Sequence, residues 1–137
     1  MIGILIVAHG SLGESLIQCA THVLGSRPPL LTPLDVTDCP DTAAMVTAAQ
    51  HLIDELDQGD GVLMLSDVYG ATPCNTACRL LYPGRVEGLA GVNLPMLIRA
   101  LTYRNESLDK LVVKALSGGL EGILHISPEL CDAATGR

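Results

Sequence analysis

Two side chains able to do chemistry stand where apolar runs end. His9 follows the run Ile2–Ala8 in the stretch "GILIVAHGS", and Asp67 follows "GVLMLS". An imidazole beside a carboxylate is an acid–base pair. A carboxylate that accepts the Nδ1 proton fixes the tautomer and leaves Nε2 with a free lone pair, a nucleophile at neutral pH. The same carboxylate stabilises the cationic imidazolium that forms on attack. Two simpler roles fit the same residues: His9 bonded to a loop, and Asp67 capping the helix that follows.

The loop after Asp67, "VYGATPCN", can hold an anion. Gly70 permits an unusual backbone angle or a close approach, and Ala71 and Thr72 lead into a helix start. Free N–H groups and the positive end of the helix dipole favour a phosphoryl group there. The hydroxyls of Thr72 and Ser11 supply further donors. Ser11, Gly70, Ala71 and Thr72 are therefore the candidate phosphate contacts.

Several chemistries are excluded by absence. There is no G-x-x-x-x-G-K-[ST] and no G-x-G-x-x-G. The only lysines, Lys110 and Lys114, fall in a late helix away from this rim. A site without lysine or evident magnesium ligands is poorly equipped to clamp a triphosphate. It remains suited to a phosphoryl group already activated on another protein's histidine, because donor and acceptor are then close in energy. Cys74 and Cys78 stand four apart, but no second pair has zinc spacing, so core packing is preferred and no metal or cofactor is expected. His22 and His51 fall in helices and His125 in a last strand, as surface or structural residues. Arg79, Arg99 and Arg104 read as solvated helix faces or partner contacts.

The elements that position these residues follow from apolar spacing. Ile2–Ala8 reads as a strand covered on both faces, Leu12–Leu24 as a helix stopped by Gly25, and Leu30–Val36 as a short strand. Asp41 caps a helix through Leu56. Gly61–Ser66 is the next buried strand, Asn75–Leu81 a helix, and Val86–Val92 a weaker strand carrying Gly88 and Gly91. Pro95–Leu101 and Leu108–Leu116 are helices. "EGILHIS" predicts a last edge strand tethered by Gly118, Gly119 and Gly122, and "PELCDAATGR" a frayed tail. The pattern is an α/β single domain, doubly wound, with a mainly parallel sheet, helices on both faces and a short C-terminal edge strand open to exchange in a dimer. The domain spans residues 1–127 and the tail 128–137. In such sheets ligands gather outside the carboxyl ends of the strands, where His9, Asp67 and Asn93 emerge.

Composition narrows the partners. The 137 residues carry a net charge of −7, with 48% hydrophobic and only 2% aromatic residues. Acidity and the lack of stacking rings oppose nucleic acid. No apolar run is long enough to span a membrane, and the N-terminus lacks signal-peptide features. Five irregularly spaced cysteines fit reduced thiols and a cytoplasmic location.

"GILIVAHGSLGESLIQCATHVLG", "GVLMLSDVYGATPCNTACRL" and "LAGVNLPMLIRAL" resemble the three signature segments of mannose-type (mannose/fructose/sorbose) IIA components of the bacterial sugar phosphotransferase system. The resemblance runs from Met1 to about Ser127. It implies a phosphotransferase with a phosphohistidine intermediate at His9, oriented by Asp67, and a phosphate loop over Gly70–Pro73 in which Thr72 replaces the usual Ser. Tyr69 stands where the family usually has Trp. The resemblance further implies that phosphate arrives from the histidine-containing phosphocarrier protein and passes to a IIB component, or serves a regulatory role, and that the chain is a homodimer. Two rivals share features of the sequence. Small tetrapyrrole metal chelatases also run an apolar strand into "HGS", but here no second histidine lies at a strand exit. The phosphocarrier subunit of a dihydroxyacetone kinase begins with a similar domain.

Overall fold

The computed structural model describes residues 1–68 and 77–135. Four strands form one all-parallel sheet: β1 (Gly3–Ala8), β2 (Leu31–Asp35), β3 (Val62–Ser66) and β4 (Val86–Ala90), in the order β2-β1-β3-β4. The register pairs Ala8 with Asp35 on one side of β1 and Val7 with Ser66 on the other. β1 is central, and its residues are buried throughout. The period of two sends Ile4, Ile6 and Ala8 to one face and Leu5 and Val7 to the other.

Each face has its own core. On the first, Ile4, Ile6, Leu63 and Leu65 meet Ile17 and Ala20 of α1 (Leu12–Leu24), Leu97 and Ala100 of α3 (Leu94–Tyr103), and Leu111 and Ala115 of α4 (Leu108–Glu121). On the second, Leu5, Val7, Val62 and Met64 meet Met45, Ala49 and Ile53 of α2 (Thr42–Leu56) and Ala77 and Leu80 near a short 3₁₀ turn, Cys78–Leu80. Burial of these aliphatic side chains, about 1.5–3 kcal/mol each, is the main force holding helices to sheet. Two helix starts show their caps plainly. Asp41 accepts from Ala44 N at 2.8 Å, and Asn93 accepts from Met96 N at 2.9 Å. No helix among the described residues is long and apolar enough to cross a membrane.

Three expectations change. First, Gly118 and Gly119 are not a tether: α4 continues through them to Glu121. A Cβ on Gly118 would stand 2.5 Å from Arg99 Cβ, and one on Gly119 would stand 2.8 Å from Met96 Cε. These glycines let α3 and α4 approach closely, and that packing outweighs their low helix propensity. Secondly, Ile123–Ser127 forms no strand with this sheet, and Ile123 and Ile126 are 73% and 76% exposed. The helix takes up the residues that were to carry the segment back. Thirdly, the tail forms α5 (Pro128–Thr135), with Ser127 Oγ accepting from Leu130 N at 3.2 Å and Pro128 at the first helical position. The expected helix over Asn75–Leu81 lies partly outside the described residues.

Arg104 also departs from its expected solvated position. It is 3% exposed at the amino end of the sheet. Its Nε and Nη2 donate to Ile2 O at 3.0 and 2.8 Å, Nη1 to Pro29 O at 2.6 Å, and Nη2 to Leu30 O at 2.7 Å. Burial lowers its pKa to about 10, so it stays charged at neutral pH.

Candidate functional site

The strand order sets the site. From β1 the chain crosses to β2 on one side, then returns past β1 to β3 on the other. The crevice between the carboxyl ends of β1 and β3 is thus the switch point of the sheet. His9 leaves β1 there, and Asp67 leaves β3 beside it.

The structure brings the two together. His9 Nδ1 lies 2.7 Å from Asp67 Oδ2, and the His9 backbone N–H donates to the same oxygen at 3.0 Å. Val68 N–H donates to the other oxygen, Oδ1, at 2.8 Å. The Asp67 side chain is 8% exposed, whereas that of His9 is 49% exposed. Burial by itself would raise the Asp67 carboxyl pKa. Hydrogen bonds from the His9 ring and backbone, the nearby His9 charge and the Val68 N–H together outweigh burial and hold it below 3.8. Asp67 is therefore an anchored anion on Nδ1. The His9 ring presents its other side, Nε2, toward solvent.

Gly10 turns the chain from strand to helix with φ +58°, in the left-handed region that glycine tolerates, and His9 O accepts from Leu12 N at 3.3 Å. Ser11 stands at the N-cap position of α1, yet its hydroxyl makes no cap bond to that helix. It is exposed two residues after His9, and its hydroxyl has no hydrogen bond among the described residues. Gly70, Ala71 and Thr72, with Tyr69 and Pro73, lie outside the described residues.

The remaining candidates are elsewhere. Asn93 is structural: besides capping α3, its Nδ2 donates to Gly119 O at 3.1 Å. His51 pairs with Glu55 at 3.0 Å on the exposed side of α2, and His22 and His125 are exposed and, among the described residues, make no hydrogen bond or ion pair with His9 or Asp67. Lys114 sits 4.9 Å from the centre of the Tyr103 ring. Among the described residues no three His, Cys, Asp or Glu side chains converge as a metal site would require.

One neighbour of His9 escaped sequence reading. Asp35 ends β2 opposite Ala8, and its carboxylate accepts from Thr37 N at 2.9 Å and Thr37 Oγ1 at 2.6 Å. In "LLTPLDV" it looks like one polar position inside a strand. Only the pairing of β2 with β1 brings it to the rim.

Known proteins resemble this chain over most of its length. The family model for the PTS system fructose IIA component matches residues 3–116. The mannose-specific EIIAB component of Escherichia coli K12 is 33% identical over 125 residues, which are 89% of this chain. The match covers 38% of that relative, so the chain spans about two fifths of its length. The fructose-specific EIIA component of Bacillus subtilis is 25% identical over 132 residues, covering 96% of this chain and 87% of the relative. The crystal structure of a phosphotransferase-system EIIA component from Streptococcus agalactiae superposes with a TM-score of 0.80 at 27% identity, covering 91% of this chain and 97% of that one. Sequence and fold thus agree over the same span that carries His9 and Asp67, and on that agreement the chain belongs to the family of phosphotransferase-system fructose IIA components, within the mannose type.

Proposed function

We propose that this chain is a phosphocarrier of a sugar phosphotransferase system, with His9 Nε2 as the acceptor. The observation that carries the reading is the 2.7 Å contact of Nδ1 with a buried, anionic Asp67 beneath a half-exposed imidazole. The Nε2 lone pair attacks phosphorus on a donor phosphohistidine. The donor P–N bond breaks, and its electron pair returns to the donor nitrogen. The ring keeps its Nδ1 proton, and Asp67 offsets the positive charge that the ring gains. The second transfer repeats these steps with His9 as leaving group.

The donor is the histidine-containing phosphocarrier protein, and the acceptor is a IIB component, or the carrier serves regulation. Ser11 contacts the phosphoryl oxygens together with the loop carrying Gly70, Ala71 and Thr72. Transfer takes place in the cytoplasm. Two carrier proteins must reach the same nitrogen in turn, and the half-exposed ring supports that. Incubation with labelled phosphorylated phosphocarrier protein tests the reading: label stable in alkali and lost in acid is expected, and none on His9→Gln. Label that persists in His9→Gln sinks it.

The working unit is a homodimer. Leu120, Ile123, Leu124 and Ile126 form an exposed apolar stretch at the end of α4 and beyond it, which a second copy would cover. Light scattering should give a dimer mass at tens of micromolar, and Ile123→Asp with Ile126→Asp should halve it. A monomer mass for the unaltered chain contradicts this.

A further inference from the structure

His9 stands between two carboxylates, of which only Asp67 touches the ring. The strand order β2-β1-β3 places Asp35 on the opposite flank, one residue before His9 in the β1–β2 register. The Asp35 carboxylate accepts from the Thr37 N–H and the Thr37 hydroxyl. It lines the same cavity as Gly10 and Ser11, the two residues that follow His9, and lies within electrostatic reach of His9.

The surroundings sharpen its electrostatic role. A cavity of about 560 Å³ opens between α1 and β2, lined among others by Gly10, Ser11, Glu14, Asp35 and Asp38. Glu14 is paired with Arg27 at 2.7 Å. Asp35 and Asp38 line this cavity without an ion pair among the described residues, so this flank of His9 is negative. Thr37 holds the Asp35 carboxyl below its ordinary value of 3.8, which keeps it ionised at neutral pH. A phosphoryl group adds close to two negative charges beside it.

We propose that Asp35 is a positioning residue for phosphoryl transfer: its charge repels the bound phosphoryl group. Repulsion turns that group away from the α1/β2 cavity toward the β3 side. It also makes phosphorylated His9 less stable and a better donor to the next acceptor. The proposal rests on His9 being the phosphoryl acceptor.

Substitution isolates the charge. Asp35→Asn keeps the shape and an acceptor oxygen but removes the charge; Asp35→Ala removes both. With phosphorylated phosphocarrier protein as donor, Asp35→Asn should move the equilibrium toward phosphorylated His9 by about fivefold, the order expected for one charge acting on a dianion at high effective dielectric. The difference from wild type should shrink in about 0.5 M salt, where charges are screened over a few ångströms. Asp35→Ala, which also lacks the charge, should show the same equilibrium shift. An equilibrium within twofold of wild type in Asp35→Asn overturns the proposal. If the unsubstituted chain takes no label on His9, the phosphocarrier reading fails, and the transfer role of Asp35 fails with it.

Discussion

The two ends of the sheet use charge in opposite ways. At the amino end, Arg104 is buried, and its guanidinium is satisfied by the carbonyls of Ile2, Pro29 and Leu30 with no acidic partner among the described residues. At the carboxyl end, His9 is half exposed, and the anion that holds it is buried beneath. A buried cation surrounded by carbonyl oxygens cannot move without stranding them, so it locks the strands and does no chemistry. A half-exposed imidazole on a buried anion is held on one side and open on the other. Stability is concentrated at one end of the strands and reactivity at the other.

The sharpest way to break this contrast is Arg104→Met. It leaves three carbonyls short of a donor and should cost about 3 kcal/mol of stability, judged from the loss of buried charged hydrogen bonds. Measured well below the lowered melting temperature, phosphoryl transfer should stay within about twofold of wild type. A large loss of transfer at unchanged stability would mean that the ends are coupled.

Asp67→Asn is the converse. It preserves shape, removes the negative charge under the imidazole and can favour the wrong tautomer. Transfer should slow at least about tenfold, roughly 1.4 kcal/mol in the transition state, with the melting temperature at pH 7 changed little by comparison. The sign of its pH dependence follows from a folded-state pKa held below 3.8. The Asp67 contribution to stability is fully present above that value and is lost as pH falls through the lower folded value. The acid limb of the stability curve should therefore be shallower in Asp67→Asn, and an identical limb would show that the pairing adds nothing to stability.

The smallest effects compare two helix starts. Asp41 caps α2, whereas Ser11 leaves its cap bond unmade. Asp41→Ala should cost about 1 kcal/mol in thermal unfolding. Ser11→Ala should cost less than about 0.5 kcal/mol and show its effect in the transfer rate. Equal losses of stability would mean that Ser11 serves the helix after all.

Which of these features could be read from sequence follows from the range of the forces involved. The buried strand runs and amphipathic helices are local patterns, and they brought His9 and Asp67 to neighbouring strand ends on topological grounds alone. Gly118 and Gly119 look like a break because propensity is local; only the approach of Arg99 and Met96 reveals them as a helix seam. Arg104 looked like a surface cation because nothing near it in sequence announces the carbonyls of Ile2 and Leu30. Asp35 was hidden for the same reason, since its neighbours are set by strand pairing. The terminal segment followed an alternating pattern that requires a partner strand, and the chain by itself offers none among its described residues.

Parallel pairing has a consequence during synthesis. β1 finds its neighbour β3 only after Val62 has been made, and the Ile2 carbonyl meets Arg104 across 102 residues. At about 5–20 residues per second, the interval between Ile2 and Arg104 is roughly 5–20 s. Until β3 is complete at Ser66, within that interval, the wholly buried β1 has at least one edge unpaired. The central position that secures β1 in the finished sheet makes it the segment that waits longest for its full set of neighbours, and the one most exposed to capture by a chaperone or by another nascent chain.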